Sequence, residues 1–420
     1  FQAEDGIRDV ERSRGLGDVY KRQTNGRLTI IRRGRGYAPV WLRLKFKVPK
    51  PVIAFGAELQ SAGAIAFDDK VILTQYIGDV DDYEVLNDLE KYLSLFIKIY
   101  NINVSNSYLV VDKHPRYTSR VLAEYYLSKY GGELIEVQHH YAHALATAVD
   151  VGLSPGEEFI AIVMDGVGYG DDGNIWGGEV LRVRYGDYLR VGHLENIPIV
   201  GAEQAIKYPG RMLISFLYKI LDRNEDEVIK LITKLNLVDE FKHGINEVHA
   251  ILNQLRGPTV MTSSTGRFLD SISALLKLCF ERTYEGEPAI KLEAAARGGK
   301  IIDKLDNIII TDNSKYIVLT TKIIEFLLET IEKPVNDLAY TSQYVLGKAL
   351  GEIVIRTIYG TRIENIILGG GAAVNSIIVK GIDDSLSEIG LKVHLPSKIP
   401  PNDGGIAVGQ VASIFKYLHN

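Results

Sequence analysis

Three histidines fall within the short string Gln138-His139-His140-Tyr141-Ala142-His143, in a chain of 420 residues that holds only nine. His139 and His143 are spaced i, i+4. A helix continuing through Ala142 to Val149 therefore puts both imidazoles on one face, as a shared metal requires. Further along, the apolar run Phe159 to Met164 opens into Asp165-Gly166-Val167-Gly168-Tyr169-Gly170-Asp171-Asp172-Gly173. Glycines there would let backbone N–H groups approach a phosphate while Asp165 holds a metal or a water. Each string also has a plainer explanation. One histidine near a helix start is commonly a cap or core residue, and Asp-Gly-x-Gly alone is commonly a hairpin turn. The residue after His139 is His140 rather than Glu, so the HExxH protease signature is absent and a metalloprotease is disfavoured.

Two histidines leave a catalytic metal site one ligand short. Asn402-Asp403-Gly404-Gly405 offers Asp403 as the third, although an Asp at such a turn is usually a helix cap. Two further strings resemble ligand-facing backbone. Ile363 to Leu368 is an apolar run delivered into Gly369-Gly370-Gly371 and Asn375, which fits either a bare backbone facing a ligand or a closely packed helix entry. It is not GxGxxG, and no acidic residue follows where a dinucleotide ribose would need one, so a Rossmann site is disfavoured. Ser263-Ser264-Thr265-Gly266-Arg267-Phe268-Leu269-Asp270 precedes an apolar helix expected over Ile272 to Cys279, and ligand contact and simple N-capping explain it equally well.

Elements must carry these residues. After Val48-Pro49-Lys50-Pro51 the pattern reads as strands Val52 to Gly56, Gly63 to Phe67 and Lys70 to Tyr76, with Asp68-Asp69 as a tight turn. A helix follows from about Tyr83 to Ile99, with Leu86, Leu89, Leu93, Phe96 and Ile97 at helical spacing. A short strand, Tyr108 to Val111, ends at Asp112-Lys113-His114-Pro115, and Thr118 to Tyr130 reads as another helix. A similar order restarts at Phe159, with strands Ile175 to Val183 and Tyr188 to Leu194, a long helical region from Ala202 to Ala296, and a last helix from Ile406 to Phe415. Duplicated hairpin-plus-helix units predict an α/β fold of two lobes with a cleft between them.

Composition narrows the classes. With 46% hydrophobic and 24% charged residues and a net charge of -5, the chain reads as an ordinary soluble protein with no general reason to bind nucleic acid. Cys279 is the single cysteine, which rules out an intrachain disulfide or a cysteine-based zinc site and fits a cytoplasmic setting. No apolar stretch approaches the length of a membrane helix. Residues 1–23 have neither helical nor strand periodicity and resemble translated sequencing-adapter read-through, with a disordered native tail as the other reading; the natural chain is expected to start near Thr24. From Arg27 to Lys47 there are seven basic residues and no acidic ones, either a phosphate-facing strip or a solvated linker.

Four strings together resemble one family. Gln138 to His143, Asp165 through Trp176-Gly177-Gly178-Glu179, Tyr284-Glu285-Gly286-Glu287 and Pro401-Asn402-Asp403-Gly404-Gly405 are similar to the HypF family of hydrogenase maturation carbamoyltransferases. The resemblance implies a two-lobed actin/Hsp70-type ATPase fold, built of duplicated ribonuclease H-like lobes around an interlobe nucleotide and metal cleft. It divides the chain into residues 24–47, the tail of a YrdC-like domain, and residues 48–420, a transferase domain similar to the tRNA threonylcarbamoyl transferases. Lobe I would span about 52–155 plus the C-terminal helix, and lobe II about 156–395. It further implies a C-terminal piece of a longer enzyme that uses carbamoyl phosphate and ATP, through carbamoyl-adenylate, to carbamoylate the C-terminal cysteine of a partner, HypE. His139, His143 and Asp403 would bind a divalent metal, zinc or iron, with Asp165 beside it as a catalytic residue and with room for magnesium. Gly166, Gly168, Gly369, Gly370 and Gly371 would approach nucleotide phosphates, Asp270 the ribose and Asn375 the adenosine side. Cys279 would not be catalytic. The chain departs from many relatives in having Gln60-Ser61 where a Lys-Asn pair is common, and Glu287 where a Gln is common. Glu287 would then either weaken nucleotide binding or face solvent. A tRNA-modifying threonylcarbamoyl transferase and a non-catalytic nucleotide-binding scaffold are the competing readings.

Overall fold

The computed structural model describes residues 20–24, 26–34 and 36–418. An antiparallel hairpin, β1 (Tyr20–Thr24) and β2 (Arg27–Arg32), comes first. Its first strand begins at Tyr20, ahead of the start expected near Thr24; the rest of the segment set aside in the sequence lies outside the described residues. Arg27 ties the hairpin to the chain's far end through Asp383 and the Val393 carbonyl, at 3.0 and 2.7 Å.

The first sheet contains β3 (Trp41–Arg43), β4 (Val52–Ala54), β5 (Ala64–Phe67), β6 (Lys70–Leu73), then, after α1 (Tyr83–Ile99), β7 (Tyr108–Asp112) and, after α2 (Thr118–Tyr130), β8 (Glu133–Val137). Its order is β3-β6-β5-β4-β7-β8, an antiparallel hairpin continued by the parallel strands β4, β7 and β8. Asp68 takes a positive φ of 49° at the tight turn, a conformation that Asp tolerates better than most residues. Helix α3 (His139–Val151) leads out of this sheet.

The second sheet repeats that order. Strands β9 (Phe159–Tyr169), β10 (Ile175–Arg184) and β11 (Asp187–Leu194) form an antiparallel meander, followed by β12 (Ile197–Ile199). The long helical region expected from Ala202 to Ala296 comprises six α-helices, with one strand among them: α4 (Glu203–Lys207), α5 (Gly210–Ile220), α6 (Glu225–Lys234), α7 (Gly244–Leu255), β13 (Val260–Thr262), α8 (Thr265–Leu275) and α9 (Glu287–Ala295). The breaks fall where the backbone turns left-handed, at Asp222, Arg223 and Asn236, and at Gly257-Pro258. After β14 (Ile309–Asp312), β15 (Lys315–Val318), α10 (Thr320–Glu329) and α11 (Val335–Ile358) come β16 (Ile366–Gly369), α12 (Ser376–Ser387), β17 (Val393–His394) and α13 (Ile406–Ser413). The path β14-β15-β11-β10-β9-β16-β17 has β16 and β17 running parallel to β9. The sequences β6-β5-β4-β7-β8 and β11-β10-β9-β16-β17 are therefore one topology used twice, the two-lobed α/β arrangement of the actin/Hsp70-type fold.

Strand alternation sorts the core into layers. In β9, Phe159, Ala161 and Val163 enter one cluster while Ile160, Ile162 and Met164 enter another. In β4, Val52 and Ala54 join the first of these, and Ile53 packs against α1 and α2. Helices α3 and α13 lie in the cluster shared by both sheets, which explains why α3 is alanine-rich and buried along most of its length. That central layer carries the histidine pair. No helix among the described residues is long and apolar enough to cross a membrane.

A candidate metal centre between the two sheets

Gln138 caps α3, its side chain accepting from the Tyr141 amide at 2.8 Å, so the helix starts at His139 and presents His139 and His143 one turn apart. Both are fully buried. Asp165 on β9 and Asp403, in a short turn just before α13, complete a cluster whose four ligand atoms lie within 4.8 Å of one another. His139 Nε2 is 3.2 Å from Asp165 Oδ2 and 3.7 Å from Asp403 Oδ1; His143 Nε2 is 3.6 and 3.4 Å from the same atoms. A tetrahedral ion with bonds of about 2.05 Å needs ligand–ligand edges of roughly 3.3 Å, which these distances bracket. His143 Nε2 is buried and has no hydrogen-bond partner, the state expected of a lone pair reserved for a cation.

Asp112, the last residue of β7, orients the first histidine: its Oδ2 accepts from His139 Nδ1 at 2.7 Å, which leaves Nε2 facing the cluster. Its Oδ1 accepts from the His114 amide at 2.8 Å. The Gly371 amide donates to Asp165 Oδ1 at 3.2 Å and fixes the second carboxylate in turn. Asp112 was not singled out in the sequence; the available signal was a carboxylate closing an apolar strand.

Charge in this cluster is balanced by protons when no cation is bound. Burial opposes protonation of His139, but Asp112 and Asp403 outweigh it and hold its pKa well above the ordinary histidine value. His143 is likewise raised, burial being overcome by Asp165 and Asp403. Burial would raise Asp165, yet the two histidines pull it well below the carboxylate range, while burial and the Asp165 charge leave Asp403 raised. At the neighbouring His140, burial followed by the His139 charge outweighs the opposing pull of Glu179 and Asp165 and lowers its pKa to about 3. The sign for metal binding follows. A cation needs both Nε2 lone pairs, so below the raised histidine pKa values it must displace protons, and affinity falls as pH falls. Titration calorimetry with a divalent metal near pH 6.5 in buffers of different ionisation heat should report net proton release on binding; no release would contradict the ligand assignment.

Residues 165–168 are not a loop. Strand β9 runs through them to Tyr169, and the register against β10 shifts between Trp176 and Gly178. A side chain on Gly168 would collide with His140 Cε1 at 2.3 Å and His139 Cδ2 at 2.7 Å, so this glycine makes room for the histidines. Gly166 differs, with open space above its Cα and its carbonyl bound by Ser264 Oγ at 2.6 Å. Gly370 takes φ +89° with its Cβ direction blocked by the Met164 carbonyl at 2.1 Å, and a side chain added at Gly369 would come within 3.3 Å of the His143 carbonyl oxygen and Thr147 Oγ1 on α3. Gly369 therefore lets α3 lie close on β16 and Gly370 lets the chain after β16 pass close to β9, whereas Gly371 reaches the cluster directly.

Helix α8 starts at Thr265, not Ile272, and this earlier start puts Asp270 in its second turn, buried and 2.7 Å from Arg267. Asn375 caps α12: its Oδ1 accepts from the Ile377 and Ile378 amides, and its Nδ2 donates to Gln343 Oε1 at 2.7 Å. Cys279 lies past the end of α8 rather than inside a helix, and burial pushes its thiol up to about 11, far from a reactive thiolate. Glu287 does not face solvent. It is buried, accepts from Thr283, pairs with Lys291 at 2.8 Å and is held at about 2 by those contacts against its burial. Gln60 bridges the lobes, donating to Glu285 and accepting from Asn402.

The family model for the second subdomain of the carbamoyltransferase Kae1-like domain matches residues 161–410, and that for the HypF Kae1-like domain matches residues 47–150. The chain belongs to the HypF family. HypF of T. kodakarensis, a solved structure, superposes with a TM-score of 0.86 at 34% identity over 96% of this chain and 52% of that one. Full-length HypF in the phosphate- and nucleotide-bound form superposes with a TM-score of 0.84 at 27% identity, over 95% and 60%. The probable carbamoyltransferase HypF of Methanocaldococcus jannaschii is 37% identical over 406 residues, 95% of this chain and 51% of that protein. The chain thus spans about half the length of the HypF relatives it matches.

Proposed function

We propose that this chain is the carbamoyl-transfer portion of a HypF-type enzyme, acting in the cytoplasm in NiFe-hydrogenase maturation and moving a carbamoyl group from carbamoyl-adenylate to the C-terminal cysteine of HypE. The observation that carries this reading is the convergence of His139, His143, Asp165 and Asp403 between two repeated sheets in a HypF-family chain. Residues 24–47 are read as the tail of a YrdC-like domain that makes the adenylate from carbamoyl phosphate and ATP in the complete protein, consistent with the family match beginning at residue 47.

The two imidazoles and two carboxylates would hold zinc or iron(II), and the ion would supply Lewis acidity towards the acyl or phosphate oxygen. Asp112 orients His139 and the Gly371 amide orients Asp165, so the donor set is fixed before substrate arrives. Nucleotide phosphates would lie over Gly166, where the first turn of α8 approaches: a side chain on Gly266 would come within 3.1 Å of the Gly166 Cα. The acceptor thiolate attacks the carbamoyl carbon, a C–S bond forms, the carbon–oxygen bond to the phosphate breaks, and AMP leaves with the electron pair. No cysteine of this chain is needed, in keeping with the buried, high-pKa Cys279.

Supplying carbamoyl-adenylate and an acceptor peptide ending in cysteine tests the reading without the adenylate-forming step. Transfer should be lost on chelation and restored by zinc or iron(II), with thiocarbamate formation followed by mass. Binding of nucleotide without any metal-dependent thiocarbamate would support a non-catalytic scaffold instead.

A further inference from the structure

The string Trp176-Gly177-Gly178-Glu179 lies on β10, beside the metal ligand Asp165 of β9, and supplies no ligand of its own. Along the β9–β10 ladder Trp176 faces Gly168 and Gly178 faces Met164, so the single residue Gly177 stands opposite three, Asp165, Gly166 and Val167. Strand β9 therefore bulges at its metal ligand. A bulge of this kind bends a strand and re-aims the side chains that it carries.

Glu179 lies at the base of the bulge. Fully buried, it turns one oxygen back along its own strand: Oε1 accepts from the Gly177 and Gly178 amides at 3.1 and 3.2 Å and from Ser263 Oγ at 2.5 Å. Oε2 accepts from Arg190 Nε at 2.6 Å, and the Arg190 guanidinium lies over the Trp176 ring at 4.0 Å. Burial opposes the charge on Glu179, but Arg190 holds its pKa at about 2, so the carboxylate acts purely as an acceptor. Ser264, next along from the Ser263 that Glu179 binds, holds the bulge from the other side. Its Oγ donates towards the carbonyl oxygens of Asp165 and Gly166, at 3.0 and 2.6 Å. The fit is close, since a side chain on Gly177 would come within 2.6 Å of the Asp165 carbonyl oxygen and 3.1 Å of Ser264 Cα.

We propose that Glu179 and Ser264 are positioning residues of the metal site, holding the β9 bulge so that the Asp165 carboxylate is aimed at His139 and His143. The inference rests on the metal-centred reading above. The two histidines are placed by α3 and Asp403 by the turn before α13, whereas Asp165 depends on the bulge. Without the Glu179 oxygen, the Gly177 and Gly178 amides would turn to the adjacent Asp165 carbonyl and draw the ligand towards β10. Partners of this kind, one step removed from a metal, set its affinity by fixing the ligands.

Two double variants separate the acceptor oxygen from the charge. Glu179→Gln/Arg190→Met and Glu179→Met/Arg190→Met each remove both members of the buried ion pair, which is far better tolerated than removing one. Only the first keeps an oxygen for the two amides and Ser263. Zinc affinity of the full chain, read by competition with a chromogenic chelator, should fall about 10–100-fold in the second double variant and stay within about threefold of the parent in the first. Ser264→Ala, which keeps the ion pair and loses one helix cap, should weaken zinc by about tenfold or more, and it decides the matter if the second double variant does not fold. Parent-like affinity in Glu179→Met/Arg190→Met or in Ser264→Ala overturns the inference, as does an equal loss in the two double variants, which would make the charge pair rather than the acceptor the cause. A parent chain that binds no zinc, or binds it undiminished after His143→Ala, overturns the metal-centred reading itself.

Discussion

Replacing His143 with alanine should leave the protein without its divalent ion and reduce carbamoyl transfer by about 10³-fold or more. A Lewis-acid metal contributes several kcal/mol to transition-state charge stabilisation, and each 1.36 kcal/mol is a factor of ten. His143 is fully buried, its Nε2 has no other partner, and it is 3.4 and 3.6 Å from the two carboxylates. Its loss also leaves Asp165 and Asp403 close together with one fewer cationic neighbour, so part of the effect is repulsion that spreads the remaining ligands. His143→Gln, which refills most of the volume, controls for the cavity. Metal content by elemental analysis and transfer from supplied carbamoyl-adenylate are the two readouts. If both variants keep stoichiometric metal, the four-residue assignment is wrong.

Local rules made part of this centre legible. The i, i+4 spacing of His139 and His143 is a property of one helix, and the helices expected at Tyr83–Ile99 and Thr118–Tyr130 form with those bounds because their apolar stripes and flanking turns agree. Asp403 could be nominated from chemistry, since two imidazoles need a carboxylate, but the crossing that brings it to α3 is tertiary. Asp165 was read as part of a phosphate loop because glycines usually end strands. Here they do the opposite, letting β9 continue beneath the histidines, with Gly168 against their rings. Asp112 gave no periodic signal at all. It matters because β7 runs parallel to β4 and ends level with the start of α3, a pairing between segments far apart in sequence.

Gly409→Ala should unfold the protein at markedly lower temperature and loosen the metal site without touching a ligand. Helix α13 crosses α3 so closely that a methyl group on Gly409 would sit 1.8 Å from the Ala142 carbonyl oxygen, 2.5 Å from its carbon and 2.9 Å from its Cα. All three are backbone atoms of the turn that joins His139 to His143, so no side-chain rotation relieves the clash. The helices would have to separate by roughly an ångström or more, opening voids in the core that both sheets share. Overpacking of this kind costs about 1–3 kcal/mol, and the gain of about 1 kcal/mol in helix propensity from Gly to Ala does not cancel a backbone collision at the upper end of that range. Asp403 lies just ahead of α13, so moving the helix carries the carboxylate away from the imidazoles and metal affinity should fall together with stability. Gly156→Ala, at a site where an added methyl meets no atom within 4 Å, is the matched control and should change neither. Thermal unfolding with and without bound metal would show the coupling. Parent-like melting and parent-like metal content in Gly409→Ala would mean that the α3–α13 crossing does not position the site.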